Sequence, residues 1–219
     1  MTHAPLADPH RGRPLLQTGK PLGSAPVAMI MLHGRGASAS SILALAAEFD
    51  RPDLTYLAPQ AAGNTWYPYS FLAPLAQNEP HLSSALAAVG ATLKTVTEAG
   101  VPQAKTVLLG FSQGACLALE FAARHGGRFG ALVGLSGGLI GPPDTPRDYA
   151  AGLDGTEAFI GCSDVDAHIP LARVHETTQV LAQLGAAVTE RIYPGMGHTI
   201  NADEIAAIRT LLDDLHPPA

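Results

Sequence analysis

The sequence predicts a single α/β domain with a mostly parallel sheet and helices on both faces. Three observations carry that expectation. Short apolar runs alternate along the chain with longer stretches whose apolar residues recur at helical spacing. A G-x-S-x-G pattern, Gly110-Phe111-Ser112-Gln113-Gly114, stands where one such run should turn sharply into a helix. Hydrophobic residues make up 47% of the 219, enough for one large core.

The elements follow in order. Val27 to Leu32 is almost wholly apolar, as a strand buried on both faces requires. Ser38 to Phe49 carries Ile42, Leu45 and Phe49 at helical spacing behind a serine-rich start suited to capping. Thr55 to Ala58 is a short strand. Leu82, Leu86, Val89, Leu93 and Val96 stripe a helix from Pro80 to Ala99, stopped by Gly100. Thr106 to Leu109 is the strand before Ser112, and Ala115 to Ala123 the buried helix after it. Ala131 to Leu135 and Ala158 to Cys162 are further strands. Leu171, Val174, Leu181 and Leu184 stripe a helix ended by Gly185; Ala187 to Tyr193 is the last strand, and Ile205, Ile208, Leu212 and Leu215 stripe the closing helix. Strands joined through helices of this length imply right-handed crossovers. Residues 1–24 lie ahead of this pattern and read as a partly ordered N-terminal arm; residues 25–219 form the domain, with little or no lid.

Composition excludes several functions. A net charge of −6 with three lysines leaves no basic footprint for nucleic acid. No run of about 18 apolar residues could span a membrane, and residues 1–26 lack the apolar core of a secretory signal. Two cysteines, Cys116 and Cys162, make no disulfide framework and read as buried thiols of a cytoplasmic protein. No His or Cys spacing resembles a zinc site, and neither dinucleotide nor P-loop glycine pattern occurs, so no cofactor or metal is expected.

In open α/β sheets, ligands sit beyond the carboxyl ends of the strands. The loops there are His33 to Ala37, Gln60 to Gln77, the turn at Ser112, Ser136 to Gly155, Ser163 to Pro170 and Pro194 to Ile200. Ser112 is a weak nucleophile unless a base and a supporting carboxylate stand behind it. His198, in a glycine-flanked loop directly after the last strand, is the best placed base. His175 lies inside a helix, His216 near the C-terminus, His3 and His10 in the arm, and His33 reads as a hydrogen-bonding residue of its own loop. Asp164 and Asp166 both follow the strand ending at Cys162, and either could reach an imidazole. Oxyanion donors are expected from the backbone N–H of Gln113, at a helix N-terminus, and of Arg35, in the glycine-rich loop after the first strand. The order Ser, Asp, His is that of the α/β-hydrolases.

Five blocks carry a resemblance: Leu32-His33-Gly34 with Gly36, Gly110 to Gly114, Leu135-Ser136-Gly137, Asp166 with Ile169-Pro170, and Gly195 to His198. With them the chain resembles the phospholipase/carboxylesterase family of α/β-hydrolases, which includes the acyl-protein thioesterases. The resemblance implies Ser112, Asp166 and His198 as a catalytic triad, since Asp166 and not Asp164 matches the family's D-x-x-V-P pattern. It implies Arg35 and Gln113 as oxyanion donors, and a substrate pocket beside Trp66 and Tyr67, where members usually carry Trp-Phe. Phe71 and Leu72, in the same aromatic- and proline-rich loop, are expected to wall that pocket. Small-molecule esters or thioesters are the implied substrates, and a homodimer is an assembly often seen among members. Arg35 departs from the family, where this position is often apolar; its side chain is either solvated, paired with an acid, or in contact with an anionic part of the substrate. The last option admits a dienelactone-hydrolase-like activity on an anionic cyclic ester, although such enzymes generally use cysteine at position 112. His168 reads as a loop hydrogen-bonding residue. A non-catalytic binding protein on a hydrolase fold is the alternative from another class.

Overall fold

The computed structural model describes residues 8–216. Strands β1 (Leu15–Gly19), β2 (Ala28–Leu32), β3 (Thr55–Pro59), β4 (Thr106–Phe111), β5 (Ala131–Leu135), β6 (Glu157–Ser163) and β7 (Ala187–Tyr193) form one sheet in the order β1-β3-β2-β4-β5-β6-β7. Every neighbouring pair is parallel except β1 with β3. The helices are α1 (Ala39–Leu43), α2 (His81–Glu98), α3 (Gln113–His125), α4 (Leu171–Gln183) and α5 (Ala202–Leu215). None of them is long and apolar enough to cross a membrane.

Alternation along the central strands divides the core in two. Ile30, Leu32, Leu108, Leu132 and Ile160 face α2, α3 and α4, whose Val89, Leu117, Phe121 and Val174 pack on them. Met29, Met31, Leu109, Val133 and Phe159 face the other way, against Ile42, Phe49, Ile208 and Leu212. Each central strand is therefore apolar at nearly every position, as the sequence suggested.

Two elements depart from expectation. The segment read as an arm contributes β1, which pairs Leu15 with Pro59 and Gly19 with Thr55. All five of its residues are exposed, so backbone pairing on the sheet's edge holds it rather than a buried face. His3, assigned to the same arm, lies outside the described residues. The expected first helix is a single capped α-helical turn that tightens into a 3-10 helix over Ala44–Phe49 and stops where Asp50 adopts φ 55°. Ser38 and Ser41 form its reciprocal cap.

Strand order places the site. The chain moves from β2 outward to β3, then returns across β2 to β4, so the loops after β2 and β4 diverge at a topological switch point. Such crevices are where α/β sheets bind ligands. His33 to Ala37 and Ser112 meet there.

Candidate active site

Ser112 occupies the turn from β4 into α3 at φ 55°, ψ −119°, a conformation that costs a non-glycine residue about 1–3 kcal/mol. The two glycines of the pattern allow it. A Cβ on Gly110 would lie 2.2 Å from the Gly114 carbonyl oxygen, and one on Gly114 would lie 2.1 Å from that of Leu32. The turn is further fixed by the Ser112 N–H, which donates to the Leu135 carbonyl at 2.9 Å.

The loop after β7 brings His198 to Ser112, with Nε2 2.8 Å from Oγ. On its other side His198 Nδ1 lies 2.7 Å from Asp166 Oδ2, contributed by the loop after β6. The Asp166 side chain is fully buried, and its Oδ1 accepts the His168 and Ile169 N–H groups at 2.8 and 3.1 Å. Burial alone would raise its pKa, but the His198 hydrogen bond and the two backbone donors outweigh it and hold the carboxyl below the usual range. Asp164, the other carboxylate within reach on sequence grounds, instead accepts the Gly195 N–H at 2.8 Å and braces the loop that carries His198. The His168 ring stands edge-on to His198, centroids 4.8 Å apart, while its N–H serves Asp166.

Arg35 and Gln113 flank Ser112 at the cavity wall. No acceptor among the described residues takes either backbone N–H. The Arg35 side chain is exposed at the cavity wall and pairs with no acid among the described residues. Its guanidinium donates to Thr65 Oγ1 at 3.1 Å and to the Pro68 and Tyr69 carbonyls at 2.8 and 2.6 Å. It is a tie to the aromatic loop, which a sequence cannot reveal because two of its three acceptors are backbone oxygens more than thirty residues away.

A cavity of about 660 Å³ opens over Ser112 and His198, within the range of small-molecule sites. Tyr67 and Phe71 line it as expected; Trp66 and Leu72 do not. Trp66 is turned into the core because its indole N–H donates to the His33 carbonyl at 2.8 Å. Leu72 packs half-buried against the core beside α2. The sequence reading missed Cys116 and Ile169, which complete the wall. Both had a signal: Cys116 lies one helical turn beyond Ser112, and Ile169 sits three residues beyond Asp166. The Cys116 and Cys162 thiols are each pushed up to about 12 by burial, so neither supplies a thiolate nucleophile at neutral pH.

Comparison with known proteins identifies the family. A family model described as Phospholipase/Carboxylesterase matches residues 19–216. The structure of a phospholipase/carboxylesterase from Dyadobacter fermentans is similar at a TM-score of 0.88 and 39% identity, covering 92% of this chain and 96% of that one. Esterase PE8 is similar at a TM-score of 0.74 and 25% identity, covering 93% and 98%. Acyl-protein thioesterase 1 of Gibberella zeae is 28% identical over 124 residues, which are 55% of this chain and 52% of the relative. The chain thus spans about half the length of that curated relative. On the family match and the 39% identical structure, the chain belongs to the phospholipase/carboxylesterase family of α/β-hydrolases, a family of carboxylesterase- and thioesterase-type hydrolases.

Proposed function

We propose that the protein is a serine hydrolase that cleaves small carboxylic esters, and thioesters by the same machinery, through an acyl-enzyme. Ser112 Oγ attacks the acyl carbon while His198 Nε2 takes its proton. Asp166 keeps the imidazole oriented and stabilises the imidazolium. Negative charge collects on the former carbonyl oxygen and is met by the N–H groups of Arg35 and Gln113, the second of them at the positive end of α3. His198 then returns the proton to the departing alcohol or thiol, leaving the acyl group on Ser112. In the second half a water molecule repeats the cycle and frees the acid.

The observation that carries this reading is the continuous hydrogen-bonded line from Ser112 Oγ through His198 to Asp166, 2.8 and 2.7 Å, at the floor of the cavity. The Arg35 guanidinium donates to three neutral oxygens of the aromatic loop, and position 112 is serine where dienelactone-hydrolase-like enzymes generally use cysteine, which favours an ordinary ester over an anionic cyclic one. The test is hydrolysis of short p-nitrophenyl esters and acyl thioesters by the wild-type protein and Ser112→Ala. Loss of the nucleophile should lower kcat by about 10⁴–10⁶. Undiminished hydrolysis by Ser112→Ala would remove Ser112 from the mechanism.

A further inference from the structure

Both amides assigned to the oxyanion are tethered to one stretch of chain, residues 61–69. The Gln113 side-chain carbonyl accepts the Trp66 N–H at 2.9 Å, and its amide donates to the Tyr67 carbonyl at 2.8 Å. On the other donor, the Arg35 guanidinium reaches the Pro68 and Tyr69 carbonyls, and the next N–H, that of Gly36, donates to Asn64 O at 2.7 Å. Whatever holds residues 61–69 in place therefore holds both walls of the oxyanion hole.

Two imidazoles hold it. The Ala61 N–H donates to His33 Nε2 at 3.2 Å, and the Ala62 N–H donates to His10 Nδ1 at 3.0 Å. A ring nitrogen that accepts carries no hydrogen, so each ring is neutral with its hydrogen on the other nitrogen. His33 Nδ1 accordingly donates to Gly34 O at 2.8 Å, and His10 Nε2 to Trp66 O at 2.9 Å. His10 is only 3% exposed. Its own N–H donates to Ser84 Oγ at 2.9 Å, and the Ser84 hydroxyl donates to Asp8, so the segment is anchored on α2.

His33 belongs to the glycine-rich loop that the family resemblance already covers. His10 does not: it precedes residues 19–216, the part that the family model matches. We propose that His10 is a positioning residue for hydrolysis, whose imidazole clamps Ala62 and Trp66 and so fixes the loop that carries both oxyanion donors. The inference rests on the assignment of Arg35 and Gln113 given above.

The clamp has a built-in sensitivity to acid. The groups around His10 are the His81 ring at 6.2 Å, His33, Asp8 and Arg13. Burial, with smaller contributions from His81 and Arg13, lowers its pKa against the opposing effects of the Trp66 carbonyl and Asp8. Protonation would put a second N–H against the Ala62 N–H, replacing a hydrogen bond with two facing donors. The loop would then lose its tie to the N-terminal segment.

Trp66 is the only tryptophan, and its ring lies 5.5 Å from His10 and 5.0 Å from His33, so its emission reports both imidazoles without reference to activity, and substitution of His10 isolates that ring's share. The experiment compares wild type, His10→Phe and His10→Asn for kcat and KM on p-nitrophenyl acetate, and for Trp66 emission between pH 4.5 and 7.5. His10→Phe should lower kcat about tenfold or more with KM within about threefold, the signature of a misplaced rather than missing group. His10→Asn, whose Oδ1 can accept from Ala62, should recover kcat to within about threefold of wild type and lose much of the pH-dependent emission change. Wild-type kcat in His10→Phe, or equal losses in both variants, overturns the clamp. If His10→Phe does not fold, identical emission titrations for wild type and His10→Asn overturn it. A wild-type protein that hydrolyses no ester overturns instead the functional reading on which the clamp rests.

Discussion

Glu204 is buried in the first turn of α5 with one oxygen satisfied and one orphaned. Its Oε2 accepts the Asn201 N–H at 2.9 Å, closing a reciprocal cap, while Oε1 sits where a Cβ on Gly161 would come within 2.2 Å. Burial raises its pKa from 4.5 to about 7, against the pull of the Asn201 N–H. In the unfolded chain the carboxyl ionises near 4.5, and in the folded protein it keeps its proton up to about 7. Below pH 4.5 both states are neutral and there is no penalty. As pH rises from there the folded state is progressively disfavoured, and above about 7 the full penalty is present. At about 1.4 kcal/mol per pKa unit, that interval corresponds to about 3 kcal/mol. Glu204→Gln keeps an acceptor for the Asn201 N–H and cannot ionise. Its stability relative to wild type should change little at pH 4.5 and gain up to about 3 kcal/mol at pH 8. For a chain of this size that gain is about 6–12 °C in Tm. Thermal melts of both proteins at the two pH values measure it. If the Tm difference between variant and wild type is the same at pH 4.5 and pH 8, the carboxyl does not titrate across this range and the argument fails.

Two further outcomes follow from the site and the turn that builds it, and a third from α2. Asp166→Asn cannot hold the imidazole in the tautomer that accepts the Ser112 proton, so kcat on p-nitrophenyl esters should fall by about 10³–10⁴. Recovery of wild-type rates in that variant would transfer the role elsewhere. Gly114→Ala places a Cβ 2.1 Å from Leu32 O and 2.7 Å from His33 O, both backbone atoms that cannot swing aside. It should destabilise the protein by about 3 kcal/mol or more in urea melts. Gly90→Ala in α2 meets only the Phe121 ring at 3.5 Å and should be neutral or stabilising by up to about 1 kcal/mol.

Much of this protein was legible because the signals are local. The continuous apolar strands, the capped and striped helices and the strand-to-helix turn at Ser112 are each short stretches, and their geometry follows from neighbours in sequence. The choice between Asp164 and Asp166 was less so. Spacing alone allowed either, and only a family pattern preferred Asp166. In the folded chain the two divide the work: Asp166 faces His198, and Asp164 holds Gly195 in the loop that carries it.

By itself, then, the sequence determined the layered sheet, the order of its elements from β2 onward, and the serine and histidine that meet above the strand ends. Tertiary structure alone decided the rest. Edge strand β1 has five exposed residues and no buried face, so no hydrophobic period announces it. Trp66 leaves the cavity because the His33 carbonyl, 33 residues earlier in the chain, takes its indole hydrogen. The Arg35 charge goes to loop carbonyls, and His10 reaches Ala62 and Trp66 across more than fifty residues. Hydrogen bonds to backbone groups so distant in sequence depend on where the chain folds back, and those backbone partners have no side-chain identity for a sequence pattern to record.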